Sequence, residues 1–510
     1  MRFDGARAFV MLLLILGMGN VYGQINGQRN QDGQQLLVQI QANSDSGDVM
    51  EIAKKLGATV HTTVPALNAV VLNVPPGNLT SAISAVKENK NFKSVEILHG
   101  NWSELFVPSQ VDKLSSTQQN VVAQIKSQPS TAGLQVVTTR PNNISVQLLG
   151  MSTKAYSSAT SNVGPAPKGL SVSLEPGLQV TITDTTTEPV SRSTYALYGR
   201  VERDGNKDVA DQGTADLIVN DGRIAGSISL GTEMFDINPV GDGVHVIVKV
   251  KPSGLPPDHP PGPFKGSVGK YAPPPRTNDM ADTPLKNYTI RALVVYTPQV
   301  AAAVKATGGT VEELAQSSIV DANAASINSN VRMRIVLAGT QLIQYKEVDF
   351  QTDLNRLVNP HDGYMDEVHA MRKAKSADIV FLLSALDQYC GLSAAILASA
   401  QTAFSVVAQS CAHKNQSLAH ELGHLLGSRH DRATDSADVP FKTGHGYIYK
   451  SAWRTLLAYG DPCQNCQRLP YWATPTVTYQ GQPVGTKDHE DEITVINQTA
   501  AVLSTFHLGL

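Results

Sequence analysis

The sequence predicts an α/β (α+β) C-terminal domain with a mixed sheet, preceded by a βαββαβ unit and a β-rich region. Three observations predict it. Strand and helix periods alternate over residues 36–98, and residues 171–250 hold short apolar runs broken by Asn-Asp-Gly and Gly-Asp-Gly turns. Beyond residue 288, apolar strand-like runs again alternate with amphipathic stretches. At 510 residues the chain needs several cores. The expected division is a signal peptide at 1–23, the βαββαβ domain at 24–106, the β-rich region at 107–250, a Pro-rich linker at 251–287 and the C-terminal domain at 288–510.

Hydrophobic residues make up 41% and charged residues 17%, which excludes a charge-rich disordered chain. With 41 basic and 44 acidic residues the net charge is -3, so no overall field exists to hold nucleic acid or an anionic membrane.

At the N-terminus, Arg2 and Arg7 precede an apolar run over 8–18 and small residues ending at Gly23. This is the layout of a secretory signal peptide, and the run is too short to span a bilayer. No later stretch is long and apolar enough to anchor the chain stably in a membrane. The expectation is export, to the periplasm or beyond. Cys390, Cys411, Cys463 and Cys466 are the only cysteines. In an oxidising compartment they suit two disulfides, and the local pairs Cys390 with Cys411 and Cys463 with Cys466 are favoured among three possible connectivities. A four-thiolate zinc site would need a second close-spaced pair.

The first unit reads strand (36–41), helix, strand (59–64), strand (69–74), helix, strand (93–98). Its first helix carries Val49, Ile52, Ala53 and Leu56 on one face and stops at Gly57. The second sets Leu79, Ile83 and Val86 on one face behind Asn78 as N-cap. This pattern resembles the propeptides of subtilisin-type proteases, which chaperone and inhibit the enzyme attached to them; any ferredoxin-like domain has the same outline. Residues 107–170 show no clear period. The next section should be antiparallel β, with turns at Asn220-Asp221-Gly222 and Gly241-Asp242-Gly243. Nine prolines between Pro252 and Pro275 then predict an exposed linker, a natural place for proteolytic cutting.

In the C-terminal domain, strands are expected at 290–296, 334–337, 379–383 and 404–408. Thr310 with Glu313 forms a capping box opening a long helix, and another helix covers 364–375. Directly after the last strand, residues 417–431 place His420, Glu421, His424, Gly427, His430 and Asp431 in one run. On a helix, His420 and His424 lie one turn apart and reach one metal ion. Glu421 sits beside that face, where a carboxylate can take a proton from water without being a ligand. Gly427 can end the helix in a left-handed conformation and return His430 as third ligand. Three neutral nitrogens with one open position define a catalytic zinc site (Zn2+, one ion). A chance cluster of histidines on an amphipathic helix, and a gluzincin site with a distant Glu ligand, are the alternatives. The second explains neither Gly427 nor His430.

The run resembles the metzincin zinc signature, and Asp431 after the third His resembles the adamalysin (reprolysin) branch and its bacterial secreted relatives. The resemblance covers about 290–510 and implies a zinc metalloendopeptidase acting on protein or peptide substrates, with His420, His424 and His430 as ligands and Glu421 as base. Some bacterial relatives are described as preferring bonds beside acidic residues. Metzincins also have a Met-turn beneath the metal, yet the last methionine here is Met371, upstream of the motif. Residues 453–460 are similar to the Met-turn segment, with Leu457 where Met belongs, an exchange of similar volume. Tyr459 matches a tyrosine that donates to the tetrahedral intermediate in some members, packing being its other role. Asp431 is expected to contact residues under the site rather than the metal.

No Cys precedes Cys390, so a cysteine switch is impossible. Asp258 and His259 of the linker could supply an alternative ligand; obstruction by the N-terminal unit, acting as intramolecular inhibitor and chaperone, is the alternative. His413, His445 and His489 lack ligand spacing and are expected at the surface or hydrogen-bonded. No calcium-loop spacing is visible, which leaves calcium open. The reading is a secreted zymogen. Its rival is a lapsed protease that binds zinc and a partner without cleaving, marked by Leu457.

Overall fold

The computed structural model describes residues 34–139, 169–270 and 288–509, apart from short loop stretches within the first two ranges. The expected signal peptide, the Asp221-Gly222 turn and Pro273 to Pro275 lie outside the described residues.

The first unit has the anticipated order: β1 (Gln34–Ile40), α1 (Ser46–Lys55), β2 (Thr59–Val64), β3 (Ala69–Val74), α2 (Leu79–Glu88) and β4 (Phe92–Leu98). Its sheet runs β2-β3-β1-β4, all antiparallel. Ala53, Ala82 and Val86 from the helices close the core against Leu36, Val38 and Leu72.

Residues 105–139 are not structureless. They form β5 (Phe106–Pro108), α3 (Ser116–Lys126) and β6 (Thr131–Thr139), and Ser115 with Gln118 makes a reciprocal capping box at the start of α3. These strands join β7 (Leu170–Glu175), β8 (Leu178–Pro189), β9 (Thr194–Arg203), β10 (Gln212–Asn220), β11 (Arg223–Leu230), β12 (Glu233–Gly241) and β13 (Val244–Val250) in a nine-stranded antiparallel sheet. The anticipated hairpins are β10–β11, whose last pair is Asn220 with Arg223, and β12–β13. The sheet curls until the Leu105 N–H donates to Ser171 O on the far edge at 2.9 Å, so its inner face surrounds a core of Phe106, Val172, Leu217 and Phe235.

The C-terminal domain holds β15 (Tyr288–Tyr296), β16 (Met333–Leu342), β17 (Ile379–Ser384), β18 (Gly391–Ser393) and β20 (Phe404–Ala408) in the order β16-β15-β17-β20-β18. The first four are parallel and the edge strand β18 is antiparallel, giving the mixed sheet. Six helices accompany it: α4 (Pro298–Ala306), α5 (Val311–Asn328), α6 (Phe350–Val358), α7 (Glu367–Ala374), α8 (Ser417–Leu426) and α9 (Glu492–Leu503). The Thr310 and Glu313 capping box opens α5 as expected. Disulfides join Cys390 to Cys411 and Cys463 to Cys466, the pairing favoured from spacing. Among the described residues no helix is long and apolar enough to cross a membrane.

The Pro-rich stretch departs from expectation. Rather than running free as a linker, residues 252–270 lie along the edge of the C-terminal sheet, with His259 buried and most of 261–270 exposed as anticipated. The Cys390 and Gly391 N–H groups donate to Pro257 O and Asp258 O at 2.8 and 3.2 Å, and β14 (Ser267–Val268) pairs parallel with β19 (Ala395–Ile396). Proline lacks the N–H that a central strand needs, yet here its carbonyl is what the edge strand uses.

Candidate active site

Helix α8 carries Leu418, Ala419, Leu422, Leu425 and Leu426 into the main core, which turns the opposite stripe, His420, Glu421 and His424, toward the sheet edge. Gly427 ends the helix at φ +108°, in the left-handed region anticipated for it, and His430 returns to the same point. The rings of His420, His424 and His430 stand 4.6–5.4 Å apart, all fully buried. The His420 Nδ1 donates to Leu456 O at 2.7 Å and the His424 Nδ1 to Ser428 O at 2.9 Å. Each bond fixes the tautomer that leaves the Nε2 lone pair free and pointing inward.

A fourth imidazole joins them. His259, from the Pro-rich segment, is buried with its ring 4.8–5.3 Å from the other three, and one nitrogen from each of the four histidines falls within 4.8 Å of every other. The Nε2 atoms of all four are buried without a hydrogen-bond partner among the described residues. Three orphaned nitrogens, with a fourth met only by Glu421, would be strongly unfavourable in one buried spot without an ion, so the donor set fits a metal. Burial holds His424 down to about 4 and His420 and His430 well below the usual imidazole range, keeping them neutral as ligands must be.

Glu421 is fully buried. Burial would raise its carboxyl, but His259, His424 and Ser393 together hold it below the usual value. Ser393 Oγ donates to Oε2 at 2.5 Å, while Oε1 lies 2.7 Å from His259 Nε2 in a close but poorly aligned contact. One oxygen is therefore anchored and the other faces the histidines.

The 453–460 segment passes beneath the cluster. Leu457 is fully buried, and a Cβ on Gly423 of α8 would stand 2.5 Å from its Cδ2, so Gly423 is what lets Leu457 pack against the helix. Tyr459 packs its ring 4.2 Å from that of His430, and its buried hydroxyl has no partner among the described residues. Asp431 accepts the N–H groups of Ala433, Thr434 and Tyr459 and stays clear of the cluster. His445, whose Nδ1 lies 2.8 Å from His430 O, and His413, bonded to Asp321, are buried hydrogen-bonded residues, and His489 is exposed.

Two arginines went unread in the sequence. Arg454 Nη1 lies 2.6 Å from Asp258 Oδ2 and Arg468 Nη2 3.0 Å from Asp258 Oδ1, with Asn415 Nδ2 donating to Oδ1 at 2.7 Å and Gly460 N–H to Oδ2 at 3.2 Å. Burial and the neighbouring Arg454 bring Arg468 down to about 10. Only the adjacency of Asp258 and His259 hinted at this. A cleft of about 410 Å³ opens beside the cluster, lined by His259, Phe264, Leu392, His430 and Tyr459.

Residues 286–466 match the model of "Metallo-peptidase family M12", and residues 33–97 match that of the "Fervidolysin N-terminal prodomain". A "Peptidyl-Asp metalloendopeptidase" of Xanthomonas campestris is 34% identical over 388 residues, which cover 73% of this chain and 88% of that one. The chain belongs to the peptidyl-Asp metalloendopeptidase family. The enzyme of the same name from Stenotrophomonas maltophilia is 38% identical over 309 residues, 58% of this chain and 71% of that one. In Pseudomonas fragi the relative is 32% identical over 189 residues, 36% of this chain and 99% of that one. This peptidyl-Asp metalloendopeptidase homologue is thus a metzincin-like metallopeptidase with a prodomain, as the motif and the βαββαβ unit implied.

Proposed function

We propose that His420, His424 and His430 hold a catalytic zinc ion, that Glu421 is the general base, and that the chain is exported as a zymogen which hydrolyses peptide bonds flanking aspartate. The observation that carries this is the convergence of orphaned imidazole nitrogens on one buried point beside Glu421.

A bound zinc supplies Lewis acidity toward a water molecule and the scissile carbonyl. The chain supplies the rest. Ser393 fixes Glu421 so that its free oxygen can accept a proton from water and later return it to the leaving amine. The Leu456 and Ser428 carbonyls orient His420 and His424. Tyr459 offers an unpartnered hydroxyl to the oxyanion, and Asp431 holds the Tyr459 backbone in place. Leu457 fills the Met-turn position as packing.

Latency follows from His259, which occupies the point where water and substrate would stand. The pro-region, residues 24–287 in our division, inhibits through this residue, and a cut within 270–288 begins activation. The aspartate preference rests on the relatives' names and on the arginine pair that holds Asp258. The rival reading, a lapsed binding protein, has only Leu457 in its favour.

The test is metal content and peptide hydrolysis of the purified protein, wild type against Glu421→Ala, with N-terminal sequencing of shortened products. One zinc in both, cleavage only in the wild type and a new N-terminus near 270–288 are expected. Zinc without cleavage in the wild type, even after removal of the N-terminal half, would favour the lapsed enzyme.

A further inference from the structure

The carboxylate of Asp258 is held as a ligand is held. Both oxygens are saturated: Oδ2 by Arg454 Nη1 and the Gly460 N–H, Oδ1 by Arg468 Nη2 and Asn415 Nδ2. The guanidiniums do not depend on it for position. Arg454 Nη1 donates to Ala458 O at 2.6 Å and its Nε to Cys466 O at 3.2 Å, while Arg468 Nη1 donates to Asn415 O at 2.6 Å. Every one of these anchors belongs to the C-terminal domain. Its side chains 4% and 3% exposed, the arginine pair is buried, and among the described residues Asp258 is the sole carboxylate in salt-bridge reach of either. Once residues 252–270 leave, two adjacent cations that this segment now covers remain with no counter-ion. Such a site demands an anion.

Its position says which anion. Asp258 is the residue next to His259, whose ring sits among the metal-ligating histidines, so the pocket lies one residue step, about 3.8 Å of chain, from the reacting centre. We propose that Arg454, Arg468 and Asn415 form the pocket that receives the side chain of a substrate aspartate adjacent to the scissile bond, and that the pro-segment blocks it with its own Asp258. This rests on the zinc peptidase reading given above and deepens it. The pocket selects by charge and length. An asparagine would bring an NH2 group against donors, and a glutamate carboxylate would stand one methylene away from the position that Asp258 marks. The segment also runs parallel to the sheet edge at β19. A substrate laid antiparallel on the same edge would present its aspartate with reversed backbone polarity, so the two share a pocket without sharing a cleavable geometry.

The experiment uses the full chain after its own maturation. kcat/KM is measured on three peptides that differ only in Asp, Asn or Glu at one position, with cleavage sites mapped by mass spectrometry, for wild type, Arg454→Gln and Arg468→Gln. Wild type should favour Asp over Asn by on the order of 10²-fold or more, and each variant should bring that ratio down at least about tenfold. In parallel, the peptide Leu-Pro-Pro-Asp-His-Pro-Pro and its Asn counterpart are titrated into the wild type. A loss of affinity of about 100-fold for the Asn peptide is expected, and this arm does not depend on the variants folding. If wild type cleaves without preferring Asp, the aspartate reading itself falls. If it prefers Asp but the variants keep the full ratio, or the two heptapeptides bind alike, the preference stands and the pocket assignment is overturned.

Discussion

Asp431 binds Tyr459 through its main chain: Oδ2 accepts the Tyr459 N–H at 3.0 Å while Oδ1 accepts those of Ala433 and Thr434 at 3.1 Å each. One buried carboxylate thus joins the turn that presents His430 to the strip that supports His420. Replacing it with alanine strands the Tyr459 N–H in the interior and frees the Ala433 and Thr434 N–H groups nearer the surface. Asp431→Ala should lose about 2–4 kcal/mol of stability and weaken metal binding about 10–100-fold. Thermal unfolding and zinc competition titration check both, and a variant with unchanged metal affinity would leave Asp431 as packing only.

His259 gives a second expectation. In the full-length Glu421→Ala protein, which stays uncut, the cluster is capped by His259. A zinc-chelating hydroxamate peptide should bind the His259→Ala, Glu421→Ala double variant at least about 100-fold more tightly than Glu421→Ala alone, because no imidazole must first leave. Equal affinities would mean that the pro-region obstructs the cleft by some other residue.

A pH dependence is built into the contact between the β-rich region and the C-terminal domain. Burial would lower the pKa of His413, but Asp321 at 2.7 Å and Asp236 at 3.4 Å raise it well above the usual value. Lys414 and Asp216 complete the buried group. A group whose pKa rises on folding contributes stability fully present below its unfolded value, about 6.5, and lost as pH climbs through the raised one. The melting temperature of full-length Glu421→Ala should therefore fall from neutral to alkaline pH, and His413→Gln should be less stable at neutral pH with a flatter profile. Parallel profiles would count against the assignment.

Leu457→Met should be nearly silent, changing stability by less than about 1.5 kcal/mol and hydrolysis by less than about threefold, since both side chains fill the space against Gly423. A large gain of hydrolysis would instead mark Leu457 as the lesion of a weakened enzyme.

Most of the candidate site, the convergence of its helix histidines, was legible because it is local. The offsets of His420, Glu421, His424, Gly427 and His430 encode one helix turn and one stop, and helix geometry needs nothing else. The Thr310 capping box and the alternation of the first unit are local in the same sense. What escaped was non-local. Asp258 meets Arg454 across 196 residues, and no spacing rule reaches that far. The proline run was read as a free linker because proline breaks ladders, whereas here the Pro257 and Asp258 carbonyls and the Ser267 and Gly269 N–H groups tie it to the edge. Helix α3 could have been found: Ser115 and Gln118 are a capping box, obscured by the polar residues around it.

The two disulfides have a consequence for what happens after the first cut. Both close within residues 390–466, and the chain has no other cysteine, so nothing covalent ties the N-terminal half to the rest once the backbone between 270 and 288 is severed. Before the cut, the blocking segment acts as a tethered ligand at high effective concentration; afterwards it is an ordinary inhibitor at whatever concentration its surroundings allow. At high concentration the nicked pair would stay largely associated, and dilution alone would separate it.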